Sequence, residues 1–144
     1  MLHTIGTVLD MIKVQHSLFA LPWAFVTAIY AAKGLPTWSV LGWILLAMVA
    51  ARSSAMAFNR AVDAKLDAEN PRTKNRAIPA GKLGVPFTLA FAVVMAGLLV
   101  WAAAQLNPLC LKLSPVALAV TLGYSFTKRF TALCHFVLGL SLAA

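Results

Sequence analysis

The chain has 144 residues, 61% of them hydrophobic and 11% charged, with a mean hydropathy of +0.84. A water-soluble domain is about a quarter charged, so this composition excludes an ordinary globular protein and indicates a polytopic membrane protein. Twelve Lys and Arg against four acids give a net charge of +8, but the cations fall mostly in short loops between oily segments. There they orient helices and attract small anions; no nucleic-acid partner is expected.

A bilayer-spanning helix needs about 20 mostly apolar residues. Residues 1–13 have no basic leader followed by a small-residue cleavage site, so the first apolar run is read as a retained helix. That run covers 14–32, VQHSLFALPWAFVTAIYAA, and ends at Lys33-Gly34 and a Pro36 turn. A second segment runs from about 38 to 60, a third over 85–106, and a fourth over 108–127 after the Asn107-Pro108 turn. A fifth begins near Thr131 and stops at Ala144. Fourteen residues reach about 21 Å, short of a hydrocarbon core of about 30 Å. The expectation is an all-α, polytopic transmembrane bundle with four complete helices and the start of a fifth, cut within that helix.

Lys13, the six basic residues from Arg60 to Lys82, and Lys128-Arg129 share one side if four helices are counted, whereas Lys33 and Lys112 fall on the other. This asymmetry puts the amino terminus and the 60–82 loop on the cytoplasmic face of the cell membrane. Cys110 and Cys134 lack CxxC spacing and read as membrane-buried thiols. His16 and His135 read as packing or interfacial residues. Trp23, Trp38, Trp43 and Trp101 read as interface anchors or bundle packing.

The chemistry concentrates where the second segment meets water. Three of the four acids, Asp63, Asp67 and Glu69, lie within seven residues, and Asn59 completes the spacing Asn-x3-Asp-x3-Asp. At 3.6 residues per turn Asn59, Asp63 and Asp67 share one helix face, and Arg52 returns to that stripe within about 20°. Mg²⁺ takes one or two carboxylates and completes its shell with water and substrate phosphates. Two readings of the acids alone stay open: a metal site, or solvation of a helix end. Arg52 favours a site, because an intramembrane charge is costly and usually functional.

Arg72 and Arg76, four apart in NPRTKNRAIPAGKL, have the chemistry to clamp phosphate oxygens. Tyr124 and Lys128, one turn apart at the end of the fourth segment, are a further pair for the same anion, or else an aromatic-belt Tyr with a snorkelling Lys. Competing readings are a CDP-alcohol phosphotransferase, whose Asp-Gly and Ala-Arg arrangement is missing, and a non-catalytic transporter or membrane binding protein with Arg52 and Asp63 on an ion path.

The run NRAVDAKLDAENPRTKNRAIPAGKL resembles the first acidic motif of the UbiA superfamily of intramembrane prenyltransferases. IKVQHSLFALPWAF and YSFTKRFTALCHFVLGLSLAA resemble flanking segments of its 4-hydroxybenzoate polyprenyltransferase-like branch. The resemblance implies Mg²⁺-dependent transfer of a polyprenyl group from polyprenyl diphosphate to an aromatic acceptor such as 4-hydroxybenzoate or a related quinone precursor. It further implies that Asn59, Asp63 and Asp67 hold the metal, and that Arg72, Arg76, Tyr124 and Lys128 bind the diphosphate. Asp63, Asp67 and Lys128 would be catalytic, and Arg52 would face the acceptor. The family fold is a bundle of roughly nine transmembrane helices with a second acidic motif, whereas this chain has no acid after Glu69. Residues 1–144 would then be the N-terminal part of one prenyltransferase domain, incomplete as a catalyst by themselves.

Overall fold

The computed structural model describes residues 2–127 together with Phe136 and Gly139, and among these residues every regular element is helical. The helices are α1 (Leu2–Met11), α2 (Val14–Ala32), α3 (Trp38–Val62), α4 (Ala64–Glu69), α5 (Val85–Leu106) and α6 (Pro108–Thr127). Among the described residues α3, α5 and α6 are long and apolar enough to cross a bilayer. The 19-residue α2 occupies the place expected for the first segment. The all-α bundle is therefore as the hydrophobic runs indicate. Of the fifth segment only Phe136 and Gly139 are described, and Lys128, Arg129, Cys134 and His135 lie outside the described residues.

The core of the bundle is the α3–α5 pair. Their facing surfaces carry small residues: Ala50, Ser53, Ser54, Ala57 and Ala61 on α3, and Thr88, Ala92, Ala102 and Ala103 on α5, all buried. On α3 these positions recur every three or four residues, so they form one stripe. Lipid tails are as apolar as leucine, so such helices associate by close packing and hydrogen bonding, not by hiding oil from water. The Ser54 hydroxyl donates to the Ala92 carbonyl at 2.9 Å across this interface. Further along, Trp43 and Trp101 meet edge to face at 5.1 Å. As residue number rises from 43 to 54 on α3, its partner falls from 101 to 92 on α5, so the two helices run antiparallel.

Helix α6 returns beside α3, and Phe58 meets Phe126 at 5.8 Å, so the carboxyl ends of α3 and α6 lie together. Pro115 interrupts α6 without unravelling it. Proline supplies no N–H for the carbonyl four residues back; the Ser114 hydroxyl donates to that carbonyl, Leu111, at 2.8 Å. Such local repair is what a helix in a water-free medium requires. Trp23 and Trp38 are exposed at 76% and 90%, as interface anchors would be, whereas Trp43 packs edge to face on a half-exposed Trp101.

Two features are not given by the apolar runs. First, a helix precedes the first run. Leu2–Met11 form α1, and Lys13 in left-handed backbone (φ 50, ψ 57) separates it from α2. Met11 and Ile12 are buried in a cluster with Ala57, Leu83 and Ala92, which ties α1 to the carboxyl end of α3 and the end of the 70–83 loop. Second, α3 ends at Val62 and does not carry the acidic motif as one continuous helix. Asp63 caps it at φ −87, ψ 2, and α4 starts afresh at Ala64. Aspartate competes with the backbone for hydrogen bonds and is a poor interior helix residue, which suits a break here.

Candidate functional site

The break does not disperse the motif. The Asp63 amide donates to the Asn59 carbonyl at 3.0 Å, and the Asp67 amide to the Asp63 carbonyl at 2.8 Å. Four-residue bonds thus link Asn59, Asp63 and Asp67 one turn apart, as their spacing requires. Both carboxylates are buried, Asp63 at 5% and Asp67 at 7% exposure. Among the described residues no three His, Cys, Asp or Glu side chains gather as a metal site, so the oxygen donors here are two carboxylates and one amide.

The 70–83 loop folds back onto this turn. Thr73 is buried and its hydroxyl donates to the Asp67 carbonyl at 2.9 Å. The Arg76 Nη1 then donates to both oxygens of Asp67, at 2.7 and 2.8 Å. One nitrogen spans the carboxylate, so this is not the two-nitrogen fork, and Nε and Nη2 of Arg76 make no hydrogen bond among the described residues. Arg72 is exposed, its amide held by the Asn70 side chain at 2.9 Å. The structure therefore places Arg76 at the acids and leaves Arg72 exposed on the loop.

Charge-assisted hydrogen bonds of this kind contribute about 1.5–3 kcal/mol, and a buried carboxylate left without its cation is costly. Because Arg76 is one-third exposed, the lower part of that range applies. Arg76→Gln is expected to lower unfolding stability in detergent by about 1–2 kcal/mol, measured by thermal or denaturant unfolding of the purified protein.

Arg52 sits seven residues before Asn59, about 10 Å deeper along α3. Its Nε is buried and has no hydrogen-bond partner among the described residues. Tyr124, half-buried near the end of α6, lies at the same end of the bundle as the Asn59 turn because Phe126 packs on Phe58.

Reading the motifs alone misses the cavity beside Asp67. It has a volume of about 170 Å³ and a charged wall of Asp10, Lys13, Arg60, Asp67 and Arg76; Met11 and residues 77–79 complete it with apolar surface. Lys13 donates to Asp10 at 2.8 Å, and this bond and charge hold the Asp10 carboxyl below its ordinary value, with Lys82 and Arg60 adding to the effect. The contribution of this exposed pair is small. It is present above the ordinary aspartate value of 3.8 and is lost as pH falls through the lowered one. One signal for Arg60 was available: it stands seven residues before Asp67, about 20° from the same stripe. For Asp10 and Lys13 there was none, because a long-range contact of α1 brings them here.

The model of the UbiA prenyltransferase family matches residues 20–144. The chain is 35% identical over 120 residues to a 4-hydroxybenzoate octaprenyltransferase of Aliivibrio fischeri, covering 83% of this chain and 42% of that protein. Over 122 residues it is 37% identical to one of Shewanella loihica, covering 84% and 43%. The chain thus spans about two fifths of the length of these relatives. The apo structure of a UbiA homologue from Aeropyrum pernix K1 superposes with a TM-score of 0.82 at 33% identity, covering 89% of this chain and 46% of that one. With three apolar helices among the described residues long enough to span a bilayer and a family match over 125 residues, this chain is an integral membrane protein that belongs to the UbiA prenyltransferase family.

Proposed function

We propose that this chain forms the first acidic half-site of an enzyme that transfers a polyprenyl group from polyprenyl diphosphate to an aromatic acceptor, of which 4-hydroxybenzoate or a related quinone precursor is the class favoured. The observation that carries this reading is the pair of buried carboxylates, Asp63 and Asp67, one turn apart with the Arg76 guanidinium on Asp67. A site built only for stability would place one acid against one base. Here two acids and an amide follow one turn apart at the end of a membrane helix, and three cations line the cavity beside Asp67.

The donors fit Mg²⁺. Asn59, Asp63 and Asp67 offer only hard oxygen ligands, and their number leaves positions for water and phosphate oxygens. When bound, the ion neutralises charge on the diphosphate as the allylic C–O bond breaks. The chain's own groups act alongside it. Arg76 has Nε and Nη2 to donate to diphosphate oxygens. Arg72, Tyr124 and Lys128 are further proposed donors, and Arg52 is the group proposed to orient the acceptor. Fixed cations aimed at the leaving diphosphate stabilise the transition state more than the ground state. The electron-rich ring then attacks the allylic carbon, and the ring proton is lost. A donor with a lipid tail explains why the acids sit where apolar helices end.

The test is transfer in membranes containing the full-length gene product, supplied with labelled octaprenyl diphosphate and 4-hydroxybenzoate. Label moving to the aromatic acid with Mg²⁺, and not with excess chelator, is the expected result. No transfer to any hydroxybenzoate or related quinone precursor, or transfer indifferent to chelator, overturns the reading.

A further inference from the structure

The cavity beside Asp67 has a charge balance that the acidic motif does not account for. Of its three cations, Lys13 is paired with Asp10 and Arg76 with Asp67. Arg60 is half-buried and makes no hydrogen bond or ion pair among the described residues, although Arg76, Asp67, Asp63 and Asp10 are all within electrostatic reach. A partly desolvated guanidinium with open donors beside a cavity is costly unless an anion visits it. Guanidinium is also the side chain best shaped to meet a carboxylate or a phosphoryl group with two parallel bonds.

The space suits a small ligand. A cavity of 150 Å³ is enough for a benzene-sized guest, and this one holds about 170 Å³. Its lining combines apolar surface from Met11 and Ile78 with three cations and two acids. The fold holds the lining together through α1: Met11 and Ile12 are buried against Ala57 and Leu83, which brings Asp10 and Lys13 to the same cavity as Arg60. Lys13 is two-fifths exposed on its weak pair with Asp10, so it can turn to an incoming anion at little cost.

We propose that this cavity is an anion seat in which Arg60 and Lys13 bind one phosphoryl or carboxylate group beside Asp67, with α1 as its outer wall. The seat deepens the reading above, and rests on it for which of the two anions arrives. Arg60 and Lys13 are binding residues in this scheme, and Asp10 is the positioning residue that stores Lys13 when the seat is empty.

The experiment measures binding of inorganic pyrophosphate and, separately, benzoate to the purified protein in detergent by calorimetry, in chelator so that no divalent metal contributes. Arg60→Gln is expected to weaken one of these probes roughly 10- to 100-fold, the loss of charge-assisted hydrogen bonds. Arg60→Lys keeps the charge but loses the fork and should fall between, and Lys13→Gln should weaken the same probe by a smaller factor. Loss confined to pyrophosphate assigns the seat to the diphosphate; loss confined to benzoate assigns it to a carboxylate acceptor. If Arg60→Gln does not fold, Lys13→Gln and Arg60→Lys decide by the same criterion. Wild-type affinity for both probes in all folded variants, or no binding of either probe to the wild type, overturns the proposal. Because chelator removes the metal, that failure is separable from failure of the prenyl-transfer reading, which the Mg²⁺ dependence of transfer tests by itself.

Discussion

Asp63→Asn is expected to reduce Mg²⁺-dependent prenyl transfer by roughly 10²- to 10³-fold, the scale seen when one preorganised electrostatic group is lost. The substitution keeps the volume and removes one negative charge from a residue that is 5% exposed. It also keeps the helix cap, because the bond from the Asp63 amide to Asn59 belongs to the backbone. A folding defect is therefore not the expected cause of the loss. Metal affinity separates the explanations: titration with Mn²⁺ in the presence of pyrophosphate should show weakened metal binding in the variant. Wild-type metal affinity together with wild-type transfer would remove Asp63 from the metal site. At Asp67 the corresponding change would also leave Arg76 without its partner, so Asp63 gives the cleaner measurement.

Ala57→Leu is expected to destabilise the bundle by about 1–3 kcal/mol, the usual cost of forcing extra methylenes into a filled interior. Ala57 is 0% exposed and belongs to the cluster that joins α1, α3, α5 and the loop end at Leu83. A larger side chain must push α5 away or displace Met11 and Ile12. The first route strains the Ser54–Ala92 bond; the second opens the wall that carries Asp10 and Lys13. Unfolding in detergent measures the loss. Val93→Leu on the 71% exposed outer face of α5 serves as the control and should be close to neutral. Equal behaviour of the two variants would refute the assignment of the α3–α5 stripe as the packing core.

The legible and illegible parts of this protein divide by distance along the chain. Helix positions follow from apolar run lengths, and Lys33-Gly34 and Asn107-Pro108 mark their ends, because a helix satisfies its backbone within its own sequence. Asn59, Asp63 and Asp67 come one turn apart for the same reason, even though the helix breaks at Asp63. That break was not legible: it arises where the chain turns to bring Asp67 under Thr73 and Arg76. Arg72 and Arg76 look equivalent in sequence, yet one faces solvent and the other the acids, which only the course of the 70–83 loop decides. The small-residue stripe on α3 was present in the sequence too, but its partner had to be seen to be known.

What the sequence by itself determined is the medium, the helices and the kind of chemistry: hydropathy sets the first, the length of the apolar runs the second, and rare charges among apolar residues the third. Only the tertiary structure decided which cations meet which acids. Asp10, Lys13 and Arg60 belong to one cavity because α1 packs against Ala57 and Leu83. That contact joins residues more than forty positions apart, so no local pattern could announce it; it exists because packing, not sequence proximity, holds helices together where water is absent.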